Sequence, residues 1–430
     1  MGIPAGNRYV LTDNDINQAS VPKSRFFYGY VVVAASFLVM MLAWGLYIVF
    51  GVFFNPLVGE FGWSSAATSG AYSLSSILHG VLGIAMGRLV DRFGPRLVVT
   101  VCGIFLGAGY LLMSQVETLW QLYLFYGVII GIGMGGLWIP LVSPISRWFV
   151  ARRSLMTGIV VTGLTIGQLV APPLIGRLIA AYDWRLSYII LGSLVLFIIV
   201  LSAQFLKRDP GVLGLSPYGT EAEIKQTSSS GIFGYSLKEA VHTVQFWQAF
   251  AILFSFGYCA FALTVHLVPH VAGLGISEVS AADVLAVNGG AGIIGNFVLG
   301  GIVGDRIGNR KAFLIGFALA AVSLVWLLPF RELWAMHVFA IAFGIALGSI
   351  GTSESPLVAR LFGLKNHGLI YGVTGLGFTA GGAIGPLVTG YIHDITASYR
   401  NAFVICIVFA VIGFMLTMFL KPTRKMRTAL

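Results

Sequence analysis

Charge is what this chain has least of. Only 10% of its 430 residues are Asp, Glu, Lys or Arg, against about 25% in an ordinary soluble domain. That is too little to clothe a water-facing surface. Cysteine is equally sparse. The three present, Cys102, Cys259 and Cys406, fall inside apolar runs, with neither metal-ligand spacing nor the pattern of a disulfide framework, and read as packing residues. No nucleophile–base constellation, metal cluster or cofactor motif is present, which argues against an enzyme and gives no reason to expect a cofactor. No basic stretch is interleaved with aromatics outside the apolar runs, so the net charge of +10 does not point to nucleic acid.

What fills the chain instead is apolar length. Hydrophobic residues make up 57% of it, and runs of about 18 or more, long enough to cross a bilayer as helices, follow one another. Approximate spans are 27–54, 66–90, 96–115, 119–146, 154–180, 184–206, 245–272, 282–304, 311–330, 335–360, 368–393 and 400–421. The expected fold is an all-α integral membrane protein with twelve transmembrane helices in two six-helix bundles. The first run is too long, and too far behind a polar leader, for a cleaved signal peptide. With both termini cytoplasmic, all Lys and Arg fall on the cytoplasmic side except Arg177, Arg185, Arg331 and Arg400, a positive-inside bias that suits a multi-pass protein of the cell inner membrane. The organisation is then a cytoplasmic segment 1–26, a bundle 27–206, a cytoplasmic linker 207–244, a bundle 245–421 and a tail 422–430. The linker holds Pro, Gly, a Ser run and mixed charges, a composition that separates structured units.

Across that linker the sequence repeats itself. Gly87-x-x-x-Asp91-Arg92-x-Gly94-x-Arg96 recurs as Gly301-x-x-x-Asp305-Arg306-x-Gly308-x-Arg310, every pair offset by 214. The same offset carries Gly158, Gly163, Gly167, Pro172 and Gly176 onto Gly372, Gly377, Gly381, Pro386 and Gly390. Two segments in register at one offset identify the halves as structural repeats, with a binding site expected between them near the midplane. In the duplicated loop the leading glycine permits close helix approach, and Asp91 or Asp305 can pair with an arginine or a helix N-terminus. Such a clasp can hold one packing arrangement and release in another, which makes Gly87, Asp91, Arg92, Arg96, Gly301, Asp305, Arg306 and Arg310 candidate gating residues.

This loop resembles the signature of the major facilitator superfamily, and it occurs in both halves. A narrower likeness runs through Tyr28-Gly29-Tyr30, Phe50-Gly51-Val52-Phe53-Phe54, Glu60-Phe61-Gly62-Trp63-Ser64 and Arg147-Trp148-Phe149-x-x-Arg152-Arg153. These are similar to bacterial monocarboxylate and oxalate/formate-type transporters. The resemblance implies transport of small carboxylates, coupled to protons or exchanged for another anion. The chain departs from that pattern in its membrane cations. The family's arginine within helix eight is absent, the neighbourhood reading Gly295-Asn296-Phe297-Val298-Leu299-Gly300-Gly301, and the basic residue of helix eleven is absent as well. A desolvated carboxylate needs a cation or several donors.

Polar residues at helical spacing are the alternatives. Asn288 and Asn296 lie on one stripe of helix eight, and each amide can donate twice to an oxyanion; helix packing is the other reading. His266 in helix seven could serve both anion binding and proton coupling, or be a neutral core histidine; His270 and His79 are weaker candidates. Glu354 is the one carboxylate set well inside an apolar run, where burial in the charged state costs about 2.5–3.5 kcal/mol, and it is the second proton-coupling candidate. Tyr371 and Thr374 in helix eleven, Thr162 in helix five and Tyr126 in helix four complete the candidate substrate contacts. Gly127, Gly131, Gly133, Gly135 and Gly136 in helix four follow no strand and read as close helix packing rather than a nucleotide loop.

The leading expectation is a secondary transporter of a small organic anion, monocarboxylate-like and proton-coupled, working by alternating access. An exchanger or efflux carrier for a neutral or aromatic solute is the alternative, and a membrane solute sensor that moves nothing is the alternative of another class. The expected partners are a small-molecule substrate, a proton and the lipid bilayer; the oligomeric state is open.

Overall fold

The computed structural model describes residues 27–149, 153–218, 234–363, 366–421 and 423. Among them are twelve long helices. These are α1 (Gly29–Phe61), α2 (Ser65–Phe93), α3 (Pro95–Met113), α4 (Leu119–Ile145), α5 (Arg153–Ala181), α6 (Trp184–Gln204), α7 (Val244–Gly273), α8 (Glu278–Gly300), α9 (Asn309–Leu327), α10 (Leu333–Phe362), α11 (His367–Thr396) and α12 (Arg400–Phe419). Eleven are long and apolar enough to cross a membrane. The twelfth, α2, is diluted by Ser65, Thr68, Ser69, Ser73, Ser75 and Ser76, all buried against neighbouring helices. All but Ser75 bond to protein partners, as Ser73 does to the Ser69 carbonyl at 3.2 Å, so the polarity is kept from lipid.

Local chemistry sets the helix ends. Ser64, Thr243 and Ser277 cap α2, α7 and α8, each side chain accepting a first-turn N–H, which satisfies donors the helix itself leaves open. The two duplicated loops turn on glycine at the same place. Gly94 has φ +82° and Gly308 φ +90°, a conformation closed to most side chains.

The 214-residue offset extends well beyond that turn. Arg96 Nε donates to Gln204 Oε1 at 2.8 Å. Its counterpart Arg310 donates through Nε to the Thr417 carbonyl at 3.0 Å and through a terminal nitrogen to that of Met418, and 418 is 204 displaced by the repeat. These two gating candidates thus pin α3 to α6 and α9 to α12. Arg92 lies over its neighbour Phe93, 5.1 Å from the ring centroid. The side chains of Asp91 and Asp305, and the surroundings of Gly87 and Gly301, lie outside the described residues.

Within the first half α1 packs on α5 and α6, α3 on α6, and α2 on α4; within the second α7 packs on α11 and α12, α8 on α10, and α9 on α10 and α12. The repeated glycines make the tightest of these contacts. A Cβ at Gly163 or Gly167 would collide with the Phe37 or Met41 carbonyl of α1, and one at Gly377 or Gly381 with the Phe250 or Phe254 carbonyl of α7. The linker docks at one end of the bundle. Tyr218 N–H donates to the Trp148 carbonyl at 2.9 Å, and Tyr235 N–H to that of Phe362 at 2.8 Å. This end, which also carries the duplicated loops, is called the linker end below.

Two helices depart from regular geometry near mid-span. In α4 the stretch Tyr123–Ile130 is wound as π-helix, and the ladder then breaks after Gly135 and restarts at Ile139. From Gly295 the end of α8 is π-helical, a stretch that runs on past Gly300 to Val303. Such bulges concentrate at functional sites.

Candidate functional site

The halves touch along three seams, α1 with α7, α2 with α11, and α5 with α8. All are closed toward the end away from the linker. There a Cβ at Gly51 of α1 would stand 2.6 Å from the Thr264 carbonyl of α7. Asp394 of α11 caps the start of α2 with both carboxylate oxygens, accepting from Ser65 N–H at 2.6 Å and Ala66 N–H at 2.8 Å. Arg177 of α5 pairs with Asp283 of α8 at 3.1 Å.

Toward the linker end the same helices diverge. On α11, Thr379 still meets Gly80 of α2, but Gly375, Gly372 and Gly368, the next positions on that stripe, face open space. On α5, Thr165 meets Gly292 of α8 at 3.7 Å, while Gly158 faces open space. The result is a wedge-shaped hollow between the halves, with its apex at the level of Gly80, Thr379, Thr165 and Gly292 and its mouth at the linker end.

Aromatic rings line that apex. On the first-half wall Trp44 of α1 lies 5.2 Å from His79 of α2 and 5.7 Å from Trp138 of α4. His79 points inward, because the exposed stripe of α2 (Ile77 and Val81, at 46% and 55%) lies on the opposite face. On the second-half wall Phe256 of α7 packs on Phe378 of α11 at 5.1 Å. Tyr72 of α2 and Phe261 of α7 meet from opposite halves at 5.9 Å.

The candidate residues fall into three groups. Glu354 and Tyr371 come together, the Tyr371 hydroxyl donating to Glu354 Oε2 at 3.1 Å. Beside them, His367 stacks on Tyr371 at 5.9 Å and contacts Ser355 Oγ through Nε2 at 3.0 Å. Sequence reading missed His367, although it sits one turn before Tyr371 on the same stripe. A second group is spent on helix packing. Asn288 donates to the Ala340 carbonyl at 3.2 Å and Asn296 accepts from Thr352 at 2.8 Å, both on α10. Thr162 and Thr374 return their hydroxyls to carbonyls of their own helices. Tyr126 is 1% exposed and donates to the Tyr47 carbonyl at 3.1 Å.

His266 stands apart from both. It is 0% exposed and lies in the closed α1–α7 seam, its ring 5.0 Å from Phe54. Nε2 lies 2.9 Å from the Pro386 carbonyl, and since a carbonyl only accepts, that nitrogen carries the hydrogen. His266 thus belongs to the packing of the closed end, away from the hollow. Arg185, one of the four arginines outside the cytoplasmic set, is held by Glu60 at 2.6 Å.

Twelve helices in two repeated bundles around a one-sided hollow agree with comparisons to known proteins. The family model described as Major Facilitator Superfamily matches residues 33–303 and 271–429. The chain belongs to that superfamily. Among its relatives, rat monocarboxylate transporter 13 is 29% identical over 90% of this chain and 87% of its own. The oxalate:formate antiporter of Oxalobacter formigenes is 27% identical over 94% of each. A bacterial homologue of the human lysosomal transporter Spinster, solved in an inward-facing, unoccupied conformation, superposes with a TM-score of 0.74 at 17% identity, over 92% of this chain and 97% of that one. The chain is therefore a multi-pass membrane transporter.

Proposed function

We propose that this transporter carries a small organic anion of the monocarboxylate kind, coupled to a proton, by rocking its two halves about the hollow. The observation that carries this reading is the one-sided closure. Three seams are shut at one end, while equivalent glycines of α5 and α11 face open space at the other. Repeats related in this way exchange the open and shut ends in alternating access. The Lys and Arg bias makes the linker end cytoplasmic. The relatives' printed names support the carboxylate, and Glu354 with its Tyr371 partner is the group for proton carriage.

Reconstitution into vesicles tests this. Uptake of labelled lactate should rise when a pH gradient, acid outside, is imposed, and unlabelled lactate should compete. Lactate uptake indifferent to the gradient would reject proton coupling, and absence of any carboxylate flux would reject the substrate class. One observation favours the second reading, a carrier of neutral or aromatic solutes: the apex is ringed by Trp44, Trp138, Phe256 and Phe378. Competition by neutral aromatic solutes, with none by carboxylates, would select it.

A further inference from the structure

The break in α4 sits in the wall of the hollow and leaves backbone donors unused. Helix ends at Gly135 and resumes as the ten-residue segment Ile139–Trp148, with Trp138 in the N-cap position and no side chain capping it. Leu141 and Val142 return their N–H groups to the Trp138 carbonyl at 3.2 and 3.1 Å, and Pro140 has none to give. The N–H groups of Trp138 and Ile139 have no hydrogen-bond partner among the described residues. Donors freed at this depth are tolerated where the backbone lines a cavity, not against lipid. The contacts agree. Trp138 is 36% exposed yet packs on Trp44 of α1, so its exposed side looks onto the space between the halves.

Two further observations point to a ligand here. Trp44 is 8% exposed and its buried indole N–H finds no partner, a second unused donor beside the break, its ring 5.7 Å from that of Trp138. The repeat adds the other. Displaced by 214, Pro140 falls on Glu354, where α10 runs unbroken from Leu333 to Phe362. At equivalent positions one half offers open N–H groups and the other a carboxyl.

We propose that the substrate carboxylate binds at the N-terminus of the Ile139–Trp148 segment, with Trp44 and His79 as its wall, in place of an intramembrane arginine. A helix N-terminus carries roughly half a positive charge and directs its N–H groups outward, which suits an anion. One such site holds one carboxylate, so the substrate is a monoanion with an apolar body rather than a dicarboxylate. This rests on the carboxylate reading above.

Thermal stabilisation of the full chain in detergent, by sodium lactate, sodium oxalate or neutral lactamide, tests it. Wild type should respond to lactate more strongly than to oxalate, and not to lactamide. Trp138→Asp fixes a negative charge at the same helix N-terminus, where it opposes a bound anion. It should weaken lactate binding by about tenfold or more without lowering the melting temperature of the unliganded protein, because Asp is a favoured N-cap. Trp138→Phe should stay within about threefold of wild type, the backbone donors being untouched. Wild-type affinity in Trp138→Asp, equal loss in Trp138→Phe, or lactamide binding as well as lactate overturns the proposal. Should the aspartate variant unfold, Trp138→Ser decides: its neutral cap should weaken lactate binding by about threefold, and no change overturns it. Lactate flux by wild type separates the two readings. If flux persists while these results fail, only the site is lost; if wild type neither binds nor moves lactate, both fall.

Discussion

Glu354 and Tyr371 share one hydrogen bond, 3.1 Å long, in the half-helix nearest the linker. An amide in place of the carboxyl could still accept that bond, so Glu354→Gln should fold normally and lose only the capacity to take up a proton. Uptake driven by a pH gradient should fall by about tenfold or more, as expected where an intramembrane acid carries function. Exchange of internal for external lactate should persist. Equal loss of both modes would place Glu354 in binding or gating instead. His266 makes the opposite case. Its partner is the Pro386 carbonyl and its surroundings are the closed seam, so His266→Leu should cost about 1 kcal/mol of stability and leave the pH dependence of uptake unchanged. A shifted pH profile would return it to the mechanism. Sequence alone favoured His266 because depth in the membrane can be read from position. Which face of α7 looks at the hollow depends on packing with α1 and α11, and no local pattern encodes that.

At the scale of helices, glycine has two distinct uses in the repeat. Gly167 and Gly381 let α5 and α11 press on α1 and α7, and an added methyl would strike a carbonyl. Gly167→Ala should therefore destabilise by about 1–3 kcal/mol, as overpacking does. Gly158 and Gly372 occupy the same repeat but face open space. A larger side chain fits there in this conformation and obstructs closure of the linker end. Gly158→Leu should keep substrate binding and lose flux, measured side by side in detergent and in vesicles; undiminished flux would mean that this surface never closes. The offset of 214 was fully legible because both uses conserve glycine between the halves of one chain. The interruption of α4 was not. Gly133, Gly135 and Gly136 read as packing glycines, and Gly133 does press on Leu106 of α3. The restart at Ile139 has a local signal in Pro140, which has no N–H and whose ring excludes the helical carbonyl four residues back. Yet Pro269 and Pro386 sit inside unbroken helices of this chain, so a proline alone does not announce a break.

For the whole molecule the question is what holds one end shut. Helix count and the duplicated loops were readable from apolar length and the repeat. The polar locks were not, because their partners lie far apart in sequence, 106 residues for Arg177 and Asp283 and 329 for Ser65 and Asp394. The two locks occupy equivalent seams but use different chemistry. The Arg177–Asp283 pair is 58% and 36% exposed, which limits it to about 0.2–1 kcal/mol. The Asp394 carboxylate on the first N–H groups of α2 contributes roughly 0.3–1 kcal/mol by its place at a helix N-terminus, and up to about 2 where partly buried. Energies of that size bias a rocking equilibrium without freezing it, since about 1.4 kcal/mol changes a ratio tenfold. Asp394→Asn should thus populate the form open at the far end several-fold more. The informative reporter lies on the other seam: Ala282→Cys, whose side chain is fully buried against Gly176. The three native cysteines are buried, so a membrane-impermeant maleimide should read the new thiol against little background. If the halves move as rigid bodies, loosening the α2–α11 seam speeds labelling in the α5–α8 seam. If labelling quickens only at Ser69→Cys, which lies against Gly390 one turn from Asp394, the lock is a local clasp and the rigid-body account of this transporter fails.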